Sequence, residues 1–594
     1  MCGFVGYVNK NMDQIDSNMI KSMMKLQEHR GPDDSGLTLF SSNGKNSLSY
    51  NQNELKNFHS KDNKFKLNGG IGFNRLSVID VSKNGHQPMA NKDKSIYIMF
   101  NGEIYNAFQL KNELIDKNYN FKSKTDTEII LALYEKYGLE FTLKKLNGMF
   151  AICILDLRKN QIFLARDRFG IKPLYYFEDN EKLVFSTEIK PILFINNRID
   201  FNFKIINQYI NVSLLHHNKN TFFKNIFCQN SSTVKIYSNT NKKFTKSYKY
   251  WKLTKKNNLI CKNFKEYVET YNYYFLNSLK LNLVSDVDVG LLLSSGLDSR
   301  YIYQNLKNNN INNLHTFTFG WKNKNYSEIE KLLKYTKIPN KIFHSKVINF
   351  SNFFNKLEKM TFYNEGPIGG FGTYGMFELL SLVKNKNIKV LLTGEGSDEF
   401  NLGYLNHHAA FLKEIIKEKK FKEELYSFNK KYNFNLNIKK IINKFVTNSI
   451  YAPDGTDMSK KNYGISTNID EIIKNYSFSI KLPKLLSFMD KSGGAHGIET
   501  RFPFLDHNLV EFTYSNPSKF KIIKGRTKAN LASFLSDKSS GKLFVATPQR
   551  EYIKQNYKLI LDYIYNGSLQ NLMQFKFKDF ENDFMDYVNN KSLG

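Results

Sequence analysis

The second residue of the chain is a cysteine, which follows Met1 directly and precedes Gly3. Removal of Met1 would give Cys2 a free α-amine, whose ordinary pKa is about 8. Such an amine can accept the proton of the neighbouring thiol, and the thiolate is the nucleophilic form of cysteine. A lone cysteine is a weak signal, so Cys2 is a candidate nucleophile whose weight depends on the residues around it.

Further residues in the first part of the chain could bind a small amide beside this thiol. Attack on an amide creates an oxyanion, which the side-chain amide of Asn101 and the backbone N–H of Gly102 could stabilise. Arg75 could pair with an α-carboxylate, and Glu103 and Asp126 could hold an α-ammonium group. Each residue alone also fits a turn or a cap, but together they describe a pocket for free glutamine.

Two polar loops in the middle of the chain could bind a nucleotide. The segment LLLSSGLDSR follows a buried strand and opens a helix, so the N–H groups of residues 294–299 can form a phosphate cradle. It is not a Walker A loop. Asp298 could hold Mg²⁺ on the phosphates, because magnesium prefers carboxylate oxygen. The loop TGEGSDEF follows another strand and supplies Glu395 and Asp398 from the same sheet edge.

The elements that must position these residues differ between the two halves. In residues 1–205, short apolar segments such as GMFAICILD predict strands and TDTEIILALYEKYG predicts a helix, which is typical of an α+β domain with stacked sheets. Residues 206–255 are rich in Asn, Lys and Ser and are predicted to be a linker. In residues 256–594, buried strands alternate with helices, which predicts a doubly wound parallel sheet with extra helices.

Composition excludes several classes of protein. The 594 residues are 41% hydrophobic, which is enough to bury real cores. No run is long enough to span a membrane, no signal peptide is evident, and the four cysteines lie far apart, so we expect a cytoplasmic protein without a disulfide framework or zinc site. The net charge of +31 comes from lysines spread along the chain without a nucleic-acid-binding motif, which disfavours a nucleic-acid partner.

The segments MCGFVG, HRGPDDSG, NRLSVID, NGEIYN, TDTE and ARDRFGIKPLYY resemble those of class II glutamine amidotransferases, and more closely those of the glutamine-dependent asparagine synthetase family. The resemblance implies an Ntn-type αββα glutaminase domain with Cys2 as the nucleophile and Asn101 and Gly102 as the oxyanion hole. The residues that it implies in glutamine binding are Arg75, Val78 (through its backbone), Asn101, Gly102, Glu103 and Asp126.

The segment SSGLDS resembles the PP-loop of ATP pyrophosphatases, usually SGGxDS. Ser295 stands at the second position of this motif, in place of its first glycine, and we expect this side chain to lie close to the phosphates and to affect ATP affinity. The resemblance also implies that Glu395 helps to form an acyl-adenylate and that Asp298 and Asp398 bind Mg²⁺. The implied ATP-binding residues are Leu293, Ser294, Ser295, Gly296, Asp298, Ser299, Phe319, Thr393, Gly394 and Lys528.

The resemblance implies that ATP adenylates the side chain of aspartate and that ammonia from glutamine, carried through an internal tunnel, displaces AMP to form asparagine. The expected ligands are glutamine, ATP, Mg²⁺ and a carboxylate acceptor, and the family allows a homodimer. The synthetase half departs from the family at Asp288, at Phe400–Tyr404 and at Gly493–Gly494, and the linker lacks the LPPG turn that is common in the family. The tail VATPQREYI matches a family variant. These departures lie in the half that selects the acceptor, so aspartate and other carboxylates are both candidate acceptors.

Three alternatives follow from those departures. A relative could amidate another carboxylate, such as a sugar acid in surface-polysaccharide synthesis. A non-enzymatic scaffold is disfavoured by the presence of Cys2, Asp298, Glu395 and Asp398, and a β-lactam-forming enzyme is disfavoured by the intact glutamine-binding residues.

We interpret GFGTYG at 370–375 as a chance match to a dinucleotide motif, because no apolar strand precedes it. The histidine pairs at 216–217 and 407–408 lack a third ligand.

Overall fold

The structure is a computed structural model that describes residues 1–57, 66–115, 119–311, 313–323, 326–443, 468–535, 549–566 and 585. Part of the tail segment discussed above, residues 545–548, lies outside the described residues. Within the described ranges, every helix is too short or too polar to cross a membrane.

Two antiparallel sheets form the N-terminal half. The seven-stranded sheet has the order β11-β9-β10-β1-β4-β2-β3, and the six-stranded sheet has the order β13-β12-β8-β7-β6-β5. The strands are β1 (Gly3–Asn9), β2 (Asp34–Phe40), β3 (Ser47–Asn51), β4 (Gly69–Arg75), β5 (Met89–Ala90), β6 (Ile96–Ile104), β7 (Gly148–Asp156), β8 (Gln161–Arg166), β9 (Tyr175–Glu178), β10 (Lys182–Ser186), β11 (Phe227–Cys228), β12 (Thr233–Ser238) and β13 (Lys243–Lys249).

The two sheets pack face to face, and helices cover their outer faces. Apolar side chains of both sheets, such as Phe4 and Phe73 from one and Met99 and Leu164 from the other, form the buried layer between them. The result is a helix–sheet–sheet–helix arrangement. The helices of this half are α1 (Ser17–Lys25), α2 (Gln52–Asn57), α3 (Ala107–Ile115), α4 (Asp126–Tyr137), α5 (Leu139–Lys145), α6 (Lys190–Asn196) and α7 (Phe203–Val212).

Residues 206–255 are not simply a linker, in contrast to the sequence-based expectation. Strand β11 pairs with β9, and β12 pairs with both β8 and β13, so this segment extends both N-terminal sheets. The Asn- and Lys-rich composition that suggested a linker belongs to turns and to the exposed edge strand β13, whereas Val234 and Tyr237 of β12 are fully buried. The domain boundaries themselves stay a prediction.

A five-stranded parallel sheet forms the centre of the C-terminal half. Its order is β16-β15-β14-β17-β18, so successive strands are added on both sides of β14, as expected for a doubly wound sheet. The strands are β14 (Val289–Leu292), β15 (His315–Trp321), β16 (Phe343–Ile348), β17 (Val390–Leu392) and β18 (Glu499–Arg501), with a separate hairpin of β19 (Ile522–Ile523) and β20 (Arg526–Thr527).

Helices cover both faces of this sheet, and further helices follow it. They are α8 (Phe264–Asn282), α9 (Leu297–Asn308), α10 (Glu328–Tyr335), α11 (Phe353–Asn364), α12 (Phe371–Asn385), α13 (Ser397–Phe400), α14 (Leu405–Glu414), α15 (Phe421–Tyr432), α16 (Ile438–Ile442), α17 (Ile469–Asn475), α18 (Leu482–Gly494), α19 (His507–Ser515), α20 (Ala529–Phe534), α21 (Gln549–Gln555) and α22 (Tyr557–Asn566).

The two halves share a continuous apolar core. Tyr105, Met149 and Phe169 of the N-terminal half belong to the same buried cluster as Leu391 and Met489 of the C-terminal half. Burial of this much apolar surface holds the two halves together, and it brings the start of the chain close to the central parallel sheet.

Candidate active sites

Cys2 lies at the entry to β1, the central strand of the seven-stranded sheet. Its Sγ accepts a hydrogen bond from the Leu76 N–H at 3.4 Å and lies 3.7 Å from the Leu76 carbonyl oxygen, and the Arg30 Nε donates to the Cys2 carbonyl at 3.0 Å. Burial raises the pKa of the Cys2 thiol. The thiol therefore needs a nearby base before it can act as a nucleophile.

The α-amine of Met1 shows how a buried amine behaves next to Cys2. Met1 is fully buried, and burial lowers the pKa of its α-amine to about 6. A charged ammonium is disfavoured in such surroundings, so an amine held there is mostly neutral at pH 7 and can accept a proton. In the chain with Met1 present this amine belongs to Met1, and only its removal would transfer the function to Cys2.

Asn101 and Gly102 are placed to stabilise an oxyanion. Asn101 is fully buried on β6, and neither polar atom of its amide has a hydrogen-bond partner among the residues that the structure describes. Burying an amide without a hydrogen-bond partner lowers the stability of the fold. Such a group is typical of a site whose partner is a bound substrate. At Gly102 an added Cβ would lie 2.0 Å from the Met149 carbonyl oxygen, so only glycine fits.

Arg75 has partners within the protein. At the end of β4, its guanidinium donates hydrogen bonds to the carbonyl oxygens of Ile79 at 3.2 Å and Ser82 at 2.9 Å, and also to that of Asp80. These bonds fold residues 76–82 into a compact loop beside Cys2. The expected carboxylate-binding residue thus also shapes the loop that flanks the pocket.

Val78 lies in the same loop and joins it to the C-terminal half. Its carbonyl oxygen accepts a hydrogen bond from the Asp286 N–H at 3.0 Å, and its side chain packs against Val390. The Asp80 N–H donates to Asp286 Oδ2 at 2.8 Å. Val78, whose backbone is expected to contribute to glutamine binding, therefore already bonds to another part of the chain through its carbonyl oxygen.

Glu103 and Asp126 are buried carboxyl groups near the end of β6. Asp126 is the first residue of α4 and accepts a hydrogen bond from the Ile104 N–H at 2.9 Å, and burial raises its pKa to about 7. Burial also raises the pKa of Glu103 well above its usual range. Arg501, on β18 of the other half, lies 3.5 Å from Glu103. Sequence analysis missed Arg501 because no local pattern connects β18 with β6.

A cavity of about 650 Å³ lies at the carboxyl edge of the parallel sheet. The loops after β14 and β17 both open into it, as expected where strand order reverses. Helices α12 and α18 supply further walls, which sequence analysis did not identify. The predicted residues that line the cavity are Leu293, Ser294, Asp298, Ser299, Phe319, Gly394, Glu395 and Asp398.

Other predicted nucleotide residues lie behind this lining. Thr393 is buried, and its hydroxyl donates a hydrogen bond to the Glu395 carboxylate, which fixes that side chain. The Gly296 N–H donates to Ser294 Oγ at 3.2 Å. Burial, together with the charges of Asp298 and Asp398, raises the pKa of Glu395 to about 7.

Ser295 does not point toward the nucleotide cavity, contrary to the expectation from its sequence position. Its hydroxyl donates to Glu328 Oε2 at 2.8 Å and its backbone N–H donates to the same oxygen at 3.0 Å. Ser295 is fully buried by these contacts. The serine therefore ties the loop to the start of α10.

Lys528 bridges two of the predicted magnesium-binding carboxylates. Its Nζ lies 2.6 Å from Asp298 Oδ2 and 2.6 Å from Asp398 Oδ1, and these charges raise its pKa despite its burial. The pair already accommodates a positive charge, so it suits a cation. Across the described part of the chain, no group of three His, Cys, Asp or Glu side chains could hold a metal alone. Magnesium bound by two carboxylates would need phosphate oxygens as well.

GFGTYG has a local structural role, and its interpretation as a chance match to a dinucleotide motif stays a prediction. It spans the start of α12 without a preceding strand, as expected. Gly372 lines the nucleotide cavity, and a Cβ at Gly375 would lie 2.5 Å from the Phe319 ring. Gly375 thus lets α12 pack closely against β15.

Comparison with known proteins matches each half of the chain to a protein family. Residues 56–251 match the glutamine amidotransferase domain family, and residues 271–538 match the asparagine synthase family. Glutamine-hydrolyzing asparagine synthetase 1 of Bacillus subtilis is 29% identical over 569 residues, which cover 89% of this chain and 83% of that protein. Amidase chyE of Penicillium rubens is 28% identical over 361 residues, covering 58% of this chain and 52% of that protein.

A solved structure, glutamine phosphoribosylpyrophosphate amidotransferase from B. subtilis with ADP and GMP, is 15% identical with a TM-score of 0.32, covering 58% of this chain and 81% of that chain. A TM-score of this size supports no conclusion about this chain. A Methanocaldococcus jannaschii protein, provisionally named glutamine-hydrolyzing asparagine synthetase 2, is 32% identical over 441 residues, which cover 70% of this chain and 78% of that protein. The chain therefore belongs to the glutamine-hydrolysing asparagine synthetase family, and it is a carbon–nitrogen ligase that takes its nitrogen from glutamine.

Proposed function

We propose that the chain converts aspartate to asparagine, with glutamine as the nitrogen donor and ATP as the activating substrate. The observation that carries this proposal is the unpartnered, fully buried amide of Asn101, in the same chain as a nucleotide cavity edged by Glu395, Asp298 and Asp398. A nitrogen-releasing centre and an acid-activating centre are the two parts that such a reaction needs.

Glutamine hydrolysis uses the residues around Cys2. Once Met1 is removed, the Cys2 thiol gives its proton to the α-amine of Cys2. Its sulfur then attacks the side-chain amide carbon of glutamine. The oxyanion that forms accepts hydrogen bonds from the Asn101 amide and the Gly102 N–H. The C–N bond then breaks, the leaving nitrogen takes up the proton as ammonia, and water hydrolyses the remaining thioester to glutamate.

Amide formation uses the cavity of the parallel sheet. An oxygen of the aspartate side chain attacks the α-phosphorus of ATP, and pyrophosphate leaves past Lys528. Ammonia then attacks the acyl carbon, AMP leaves, and Glu395, whose pKa is about 7, can accept the proton that ammonia loses. Asp298 and Asp398 are the residues that would hold Mg²⁺, which supplies charge neutralisation at the phosphates.

The alternative acceptor is another carboxylate, such as a sugar acid. Two observations support this alternative acceptor. The synthetase half departs from the family, and one relative carries the name amidase. Both candidates share the chemistry of adenylation and differ only in the acid that is adenylated.

A panel of acids tests the acceptor. Purified enzyme with ATP, magnesium and ammonia is expected to release pyrophosphate with aspartate and to give only background release with glucuronate or without an acid. Release with glucuronate but not with aspartate would favour the sugar acid, and release with neither would refute both. The Cys2→Ala variant is expected to lose glutamine-driven synthesis while it keeps ammonia-driven synthesis, and loss of both would contradict the assigned roles.

A further inference from the structure

Helix α18 touches both candidate sites. Phe488 and Met489 line the nucleotide cavity, whereas Asp490 lies next to Arg30 of the N-terminal half. At the end of the helix, a Cβ at Gly494 would lie 3.1 Å from Arg30 Nη1, so the glycine lets the helix approach this side chain closely. Helix α18 of the synthetase half thus lies beside the nucleotide cavity and also beside Arg30, which contacts Cys2.

Arg30 connects three groups through its guanidinium. Its Nε donates to the Cys2 carbonyl at 3.0 Å, its Nη1 donates to Glu188 Oε1 at 3.3 Å, and its Nη2 lies 2.9 Å from Asp490 Oδ2. Arg30, Glu188 and Asp490 are all nearly completely buried. A planar guanidinium with fixed partners on several edges has little freedom to turn, so its partners determine where its Nε points.

Of the two acids that contact Arg30, Glu188 has more additional basic neighbours. It also pairs with Lys190 at 2.7 Å and with His29 at 3.0 Å. The other cation near Asp490 is Lys172, at 3.9 Å. Removal of the Asp490 charge would therefore leave the guanidinium with one acid, Glu188, which already pairs with Lys190 and contacts His29.

We propose that Asp490 is a positioning residue for Cys2, so that the synthetase half contributes, through Arg30, to the placement of the nucleophile in the glutaminase half. This inference rests on the proposed role of Cys2. Asp490 orients Arg30, and Arg30 fixes the backbone of residue 2 at the entry to β1. The glutaminase centre is thus incomplete without α18.

This role predicts a particular kinetic pattern. Asp490 does not contact Glu103 or Asp126, which are expected to bind glutamine, so its loss affects the placement of the nucleophile and not substrate affinity. In Asp490→Asn, kcat for glutamine hydrolysis is expected to fall at least tenfold, while KM for glutamine changes less than threefold. Ammonia-driven pyrophosphate release is expected to stay within threefold of wild type.

The full-length enzyme serves for the test, with glutamine hydrolysis and ammonia-driven pyrophosphate release measured in parallel. Asp470→Asn is the matched control, because Asp470 also forms an ion pair in this half, at 2.6 Å from Lys255 and away from Cys2; it is expected to leave both rates unchanged. Arg30→Lys provides a second variant, since lysine keeps the charge but cannot contact three partners in a plane. It is expected to show the same loss of kcat.

The outcomes separate this inference from the proposed function. A kcat for Asp490→Asn within twofold of wild type would overturn the positioning role. So would an equal loss of both activities in Asp490→Asn and Arg30→Lys, because that pattern indicates damage to the fold. Glutamine hydrolysis that persists in Cys2→Ala would instead refute the proposed function itself.

Discussion

At the scale of single residues, Asn101 carries the clearest prediction. Its buried amide has no partner in the described structure, so its contribution is expected to appear only when an oxyanion forms. Asn101→Ala is expected to lower kcat for glutamine hydrolysis by about 10²–10³-fold. Steady-state assays with glutamine and with ammonia measure this directly, and a fall of less than fivefold would argue against the oxyanion role.

Asp126 predicts a pH dependence of glutamine binding. Burial raises its pKa to about 7, so its carboxyl group is increasingly protonated and neutral as pH falls below 7. An α-ammonium group binds the carboxylate form, and one-proton titration with this pKa reduces that form about fivefold between pH 7 and pH 6. KM for glutamine is therefore expected to rise about fivefold over this interval. Asp126→Asn should bind glutamine weakly with a KM that is flat with pH, and a matching rise in this variant would assign the titration to another group.

Some residues of both sites could be predicted from sequence, and others could not. Cys2, Asn101 and Asp298 lie in short motifs whose chemistry is visible in neighbouring residues. Arg501 and Asp490 act through contacts with residues hundreds of positions away, which no local pattern encodes. The orientation of Ser295 also escaped prediction, because it depends on Glu328, which follows the next strand.

At the scale of elements, the turn between α13 and α14 packs closely against Asp398 and Lys528. A Cβ at Gly403 would lie 1.7 Å from Asp398 Oδ1 and 2.5 Å from Lys528 Cε. Gly403→Ala must therefore displace one of these two groups. It is expected to lower ammonia-driven pyrophosphate release at least tenfold while glutamine hydrolysis is retained. Equal retention of both activities would show that the carboxylate–lysine contact is dispensable.

VGLLLSS was predicted to be a buried strand because it is nearly all apolar, and its first four residues form β14. The expectation of a linker missed the exposed edge strand β13, whose sequence KFTKSYK holds three lysines and no buried residue. Edge strands need little hydrophobic surface, so their composition is close to that of loops.

At the scale of the whole molecule, Arg501 helps to hold the two halves together. It is fully buried, lies 2.8 Å from Glu499 and 3.5 Å from Glu103, and donates to the Asn282 carbonyl at 2.9 Å. Arg501→Met leaves these two carboxylates buried without their cation, which is expected to cost about 3–5 kcal/mol of unfolding free energy. Denaturant unfolding measures this change.

The matched control is Lys524→Met. Lys524 is 75% exposed and lies 3.7 Å from Glu423, so this variant is expected to stay within about 0.5 kcal/mol of wild type. If the two variants lose the same stability, the buried network between the halves does not stabilise the fold as argued.

The positions of strands β11–β13 determine where the chain can be divided into separate fragments. A fragment that ends at residue 205 would lack β12, and the backbone groups of β8 that bond to it would become an open edge. Such a fragment is expected to aggregate when expressed alone. Dissection of the enzyme into independently produced parts should therefore place the first cut after Lys249.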